Sequence, residues 1–173
     1  AIQFPRVLFV LGVISPAVAR AAAVPLLVMA AMGAALWFVI PAGRGVEAGQ
    51  QRRVQVRNPF SLAPALKFGA VFAGIMLLAR AASSIYGSEA LLMTAAVGGL
   101  LDVDAIAVTA GQLANSLTLQ PATAVWAVLV ALAANALFKS GLAWSAGTPA
   151  FALRMALSFL VLLGAGVVAA LLI

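Results

Sequence analysis

The chain has no cysteine and no histidine, and only 8% of its 173 residues are charged. Without cysteine there are no disulfides, thiolate metal centres or thiol nucleophiles; without histidine the common neutral-pH proton carrier and metal ligand is missing too. Acidic residues are scarcest, four against ten lysines and arginines, for a net charge of +6. Soluble domains carry about a quarter charged residues, so a water-soluble domain is excluded. The basic excess comes from a few residues near the ends of apolar runs, which points to membrane topology and not to nucleic acid.

Apolar residues make up 65% of the chain, more than a soluble core of this length can hide. Runs of about 20 Ala, Leu and Val residues suffice to cross a hydrocarbon layer roughly 30 Å thick. A transmembrane β-barrel would alternate apolar and polar residues, whereas these runs are apolar on every side. The expected fold class is therefore all-α, a single polytopic membrane domain of about six transmembrane helices. The helices fall at about 4–18, 20–40, 59–84, 88–113, 121–143 and 150–173, with a polar linker at 41–58. Asn58 caps the third helix with Pro59 at its first position, and Ser88 caps the fourth. Trp37 and Phe38 form an interfacial belt before Pro41.

Arg44, Arg52, Arg53 and Arg57 place the linker on the cytoplasmic side. The expected location is the bacterial inner membrane, with the lipid bilayer as the main partner. The chain opens almost inside an apolar run, "AIQFPRVLFVLGV", which reads as the C-terminal part of a longer protein; a homo-oligomer or additional upstream helices would complete it. Residues 15–40 align without gaps on 148–173, matching Pro16 to Pro149, Leu27 to Leu160 and Gly33 to Gly166. Such a match is expected of a parallel-repeat bundle, a known transporter construction.

Half of the acidic residues, Asp102 and Asp104, stand inside an apolar run, "GGLLDVDAIAVTAGQ". Counted from Ser88 at 1.5 Å per residue, Asp102 lies about 21 Å along the helix, near the cytoplasmic half of the layer. Lys67 enters to a similar depth from the third helix and would face the pair. Two residues apart on a regular helix, the carboxylates stand about 200° from each other. Either they serve different partners or the helix is broken, and Gly98 and Gly99 favour a discontinuous fourth helix. Thr109 extends the polar face. Asn135 is the other deep polar residue, expected in the outer half on the fifth helix, where it acts as interhelical glue or as a site ligand. Lys139, Arg80, Arg20 and Arg154 read as interfacial snorkelers.

"NPFSLAPALKFG", "GGLLDVDAIAVTAGQLA" and "LVALAANALFKSG" resemble the uncharacterised multi-spanning domain found C-terminal to MgtC/SapB-type domains in bacteria. The positions carrying the resemblance are Asn58, Pro59, Phe60, Lys67, Asp102, Asp104, Asn135 and Lys139. The resemblance implies an upstream half with a matching repeat and a connection to magnesium physiology; it brings no established activity.

Carboxylate, hydroxyl and amide oxygens suit hard cations such as Mg²⁺ or Na⁺, or protons. The functional expectation is an ion transporter or permease, not an enzyme, with Asp102, Asp104, Lys67, Asn135 and Thr109 forming the site. Asp102 and Asp104 are the metal-ligand candidates, the cation being substrate and not resident cofactor. The alternative is a non-transporting scaffold or regulatory subunit whose buried Asp and Lys groups only fix helix packing.

Overall fold

The computed structural model describes residues 2–39, 90–146 and 148–172. The helix expected at 59–84, the linker at 41–58, Lys67, Arg80 and the caps at Asn58 and Ser88 lie outside these residues. Regular structure in the described residues is entirely helical: α1 (Gln3–Ile14), α2 (Pro16–Val39), α3 (Ala90–Gly99), α4 (Val103–Asn115), α5 (Pro121–Ala146) and α6 (Pro149–Leu171). Three of them, α2, α5 and α6, are long and apolar enough to cross a membrane. Of the others, α1 and α4 have 12 and 13 residues, short of the roughly 20 that one crossing needs, and α3 begins at the edge of the described residues.

Proline sets the first boundary. Crowding by the Pro16 ring drives the preceding residue out of the helical region, and Ser15 is extended at φ −144°, ψ 96°. The first helix thus ends at Ile14, not near residue 18, and α2 begins at Pro16, where a missing N–H costs nothing. Phe4, Val7 and Leu11 recur at helical spacing and form the buried stripe of α1, which packs on α2, and Val18, Ala22, Leu26 and Met29 of α2 are buried in the same core. Pro149 opens α6 in the same way, after Thr148, whose hydroxyl accepts the Phe151 N–H at 3.4 Å.

The segment expected as one helix at 88–113 is two. The Gly98 carbonyl accepts the N–H groups of Leu101 (3.1 Å) and Asp102 (2.9 Å), which closes α3 in a tight turn. Gly99 abuts Ala131 of α5, while the Leu100 carbonyl faces Asn135, one turn further along α5. Traced backward from Leu100, the chain therefore moves toward the start of α5, and α3 lies beside its first half. Burial agrees: α5 is buried through most of Ala124–Ala136, whereas Leu137, Leu142 and Trp144 are exposed. α4 returns along α1, with Asp104 paired to Arg6 near one end and the Asn115 amide donating to the Ile14 carbonyl (2.6 Å) at the other. α3 and α4 are thus a helical hairpin with its tip at Leu100–Asp102, and α1 runs parallel to α4. α5 is the central element, touching α2, α3, α4 and α6.

α4 joins α5 through a helix-ending motif in which the Thr118 N–H reaches the Leu113 carbonyl (3.2 Å) and the Leu117 N–H reaches Ala114 (3.2 Å). This motif needs a left-handed residue, usually glycine, and Leu117 fills it at φ 59°. Its side chain is 93% exposed and returns little packing for that strain, which is about 1–2 kcal/mol for an L-residue. Leu117→Gly should therefore raise unfolding stability by about 1 kcal/mol, read as a higher melting temperature in detergent; a lower one would mean that Leu117 packs on something that offsets the strain.

Candidate functional site

The hairpin tip exposes backbone that a helix would have satisfied. Leu100 has lost the partner for its carbonyl, and the first N–H groups of α4 have none inside the helix. Asp102 solves the second problem: extended at φ −147°, ψ 113°, it caps α4, its Oδ1 accepting the Asp104 N–H at 2.9 Å. The 200° separation of a regular helix therefore does not apply, because Asp102 precedes the first turn. Both alternatives hold at once, since the helix is broken and the two carboxylates serve different partners.

Asp104, in the first turn, pairs through Oδ2 with the Arg6 guanidinium of α1 at 2.6 Å. The Arg6 side chain is 59% exposed and that of Asp104 27%, so the pair is only partly buried. The second oxygen of Asp104, Oδ1, is buried with no hydrogen-bond partner among the described residues. The Leu100 carbonyl is met by Asn135, the one buried amide among the described residues, through Nδ2 at 3.5 Å. Gln3 then bridges α1 and α5: its Nε2 donates to Asn135 Oδ1 (3.4 Å), and its Oε1 accepts from Lys139 Nζ (3.0 Å). Asn135 and Lys139, four apart, share one helix face.

These groups surround a cavity of about 280 Å³ lined by Gln3, Arg6, Leu101, Asp102, Asn135 and Lys139. Four elements converge there: α1, the hairpin tip, the start of α4 and the middle of α5. Two cations, one carboxylate and two amides in this lining can bind a charged solute by hydrogen bonds, with Asp104 behind Arg6 as its counter-ion.

Of the residues singled out by sequence, Asp102, Asp104 and Asn135 come together here. Asn135, expected far from the carboxylates, stands beside the hairpin tip that carries them. Counting helical rise from Ser88 assumed an unbroken helix, which the fold-back at Leu100 invalidates. Thr109 stays outside: it is exposed, its hydroxyl donating to the Ala105 carbonyl one turn back (2.9 Å). Lys67 lies outside the described residues. Lys139, read as a snorkeler, lines the cavity, and Gln3 and Arg6 were missed. Their signal was present as a polar pair three apart on an otherwise apolar helix. Among the described residues no group of three or more Asp, Glu, His or Cys side chains is close enough to hold a metal ion, and Asp104 already holds Arg6.

The model of the domain of unknown function DUF4010 matches residues 1–147. The chain belongs to the DUF4010 family. Every residue lining the cavity falls inside that match, and α6 lies beyond it. An uncharacterized protein of Aquifex aeolicus (strain VF5) is 30% identical to this DUF4010 chain over 90 residues, which covers 52% of the chain and 39% of that protein. The chain thus aligns with well under half the length of the curated relative. No solved structure matches.

The tip depends on how closely the DUF4010 hairpin approaches α5. A Cβ on Gly99 would strike the Ala131 backbone, whose carbonyl carbon lies 2.8 Å away; one on Gly98 meets only the end of the Ile106 side chain. Gly99→Ala should cost about 1–3 kcal/mol and Gly98→Ala distinctly less, because a side-chain terminus can rotate away. Asn135→Ala should cost about 1–3 kcal/mol, the penalty for leaving the Leu100 carbonyl unpaired. Melting temperatures of the three variants in detergent test this ranking; equal effects of the two glycine substitutions would contradict the close approach at Gly99.

Proposed function

We propose that this chain carries the solute site of a membrane permease, a multi-pass protein of the bacterial inner membrane without enzymatic activity. The observation that carries the reading is the polar cavity at the tip of a helical hairpin, set among helices long and apolar enough to cross a membrane. Ionisable groups inside an apolar bundle are costly and are functional by default. Irregular backbone at membrane depth is tolerated where it lines a cavity, and transporter sites are built from such broken helices near the bilayer midplane.

In this reading Asp104 is the switching group. Its Oδ2 holds Arg6 and its buried Oδ1 has no hydrogen-bond partner among the described residues, so protonation of this carboxylate would end its demand for Arg6 and free the arginine. Arg6 takes the internal counter-charge role expected of Lys67. The two carboxylates offer oxygen ligands for a hard cation, and the resemblance to domains that follow MgtC/SapB-type domains puts Mg²⁺ among the first ions to test. Arg6 and Lys139 in the same wall oppose a resident dication, which favours proton coupling. The bilayer, and a second copy or further helices of a longer chain, would complete the assembly.

A scaffold reading draws on one specific observation: Asn135, Gln3, Lys139, Asp102 and Arg6 each already have a partner in the cluster. The two readings diverge in variants. As a permease component, the full-length protein in proteoliposomes should show flux driven by a proton gradient that Asp104→Asn abolishes while the protein still folds. Arg6→Gln should weaken the coupling to the gradient. In a scaffold, both substitutions would lower stability, with a pairwise coupling of about 0.5–3 kcal/mol in a double-mutant cycle, and neither protein would move an ion or solute from a broad panel.

A further inference from the structure

We infer that the cavity takes a small zwitterion, a solute carrying one carboxylate and one ammonium group, such as a short-chain α-amino acid. The inference rests on the permease reading of this cavity and names its substrate class. Both donors have capacity to spare: Lys139 Nζ has three protons and spends one on Gln3, and Arg6 has five N–H donors with a single ion-pair contact to Asp104. Neither has another partner among the described residues. The acceptor in the same lining is the exposed Asp102 carboxylate: Oδ1 caps α4 and Oδ2 has no partner among the described residues.

Charge decides between solute classes. With the Arg6–Asp104 pair neutral as a unit, the remaining lining charges are Lys139 and Asp102, one of each sign. They make no ion pair with each other within 4.0 Å, although both border the same cavity. A cation and an anion that line one cavity without pairing to each other are complementary to a solute that bears both charges. A plain anion would face Asp102 and a plain cation would face Lys139, and like charges in a confined site are destabilising. The Asn135 and Gln3 amides between them supply the neutral hydrogen-bonding wall. At about 280 Å³ the cavity is just below the roughly 300–1,000 Å³ of drug-sized sites, which is room enough for a solute the size of an amino acid.

The test uses the full-length protein in detergent with glycine, L-alanine and L-serine as probes. Acetate, methylammonium and MgCl₂ serve as the separate halves and the competing cation. A saturable rise in melting temperature with the amino acids, absent with acetate and methylammonium, is expected. Lys139→Gln and Asp102→Asn should each weaken the apparent affinity at least tenfold. Asp102→Asn preserves the helix cap, because asparagine caps as well as aspartate, so loss of binding there is not loss of the fold; Lys139→Arg should retain binding. A response to acetate that is indifferent to Asp102→Asn would make this an anion site and overturn the inference. A response to methylammonium or Mg²⁺ that survives Lys139→Gln, or no response to any amino acid, would overturn it equally. Asp104-dependent, proton-driven flux without amino-acid binding leaves the permease reading standing and removes this inference; amino-acid binding without flux does the reverse.

Discussion

The unwound backbone at Leu100–Asp102 governs this structure. A helix interrupted inside an apolar bundle releases a carbonyl and several N–H groups where water is scarce, and each one left unpaired costs about 1–3 kcal/mol. The sequence around the break answers this group by group. Gly98 gives a carbonyl that accepts two N–H groups in the turn, Asp102 caps the returning helix, and Asn135 reaches from α5 to the Leu100 carbonyl. Gly99 lets the hairpin lie against the α5 backbone so that Asn135 is near enough. Glycine at that point is a requirement of distance and not of backbone dihedral angle.

Once polar groups are committed to the break, they recruit others. Asn135 needs a donor for its own oxygen, which Gln3 provides, and the Gln3 oxygen in turn accepts from Lys139. Asp104 sits in the first turn of α4, near the favourable positive end of the helix dipole, and draws Arg6 across from α1. Structural satisfaction and a chemically competent cavity are thus the same set of contacts. This is why the scaffold and permease readings share residues, and why only a ligand or flux response separates them. Buried polar networks act as a unit, so the Asp102 cap, the Asn135 bridge and the Arg6–Asp104 pair are coupled parts of one arrangement.

Much of this was legible in the sequence. Composition fixed the helical class, and the doubled glycine before two aspartates marked the break, because that combination has no place in a regular apolar helix. Ser15–Pro16 carried its own boundary through the pre-proline restriction, yet it reads equally as the closing turn of a longer helix when α1 is assumed to need a full span. The fold-back of α3 was not legible. Nothing local distinguishes a kinked helix from a hairpin, and the distinction rests on the approach of Gly99 to Ala131, a contact 32 positions apart. That one ambiguity misplaced Asn135 relative to the carboxylates and sent Lys139 to the interface. Thr109 was misread for a different reason: a threonine inside a helix can turn its hydroxyl to the carbonyl four residues back, and Thr109 does so.

The division of labour along the chain gives a last constraint on the site. The family match ends at residue 147 and includes every charged and amide group of the cavity, while α6 brings Phe159, Leu162 and Leu163 to a small apolar void beneath Gln3 and Asn135. α6 is also the least embedded of the three long helices, with 17% of its apolar window buried against 56% for α5. Its contribution is the apolar side of that void, next to the Asn135 bridge. Hydrogen bonds in such a partly buried setting are stronger than the same bonds in water, and a solute entering the cavity meets donors and acceptors already held in place. The bundle thereby joins Arg6 to Asp104 while keeping Lys139 and Asp102 out of ion-pair contact, with Arg6, Lys139 and Asp102 all exposed to a solute at the cavity.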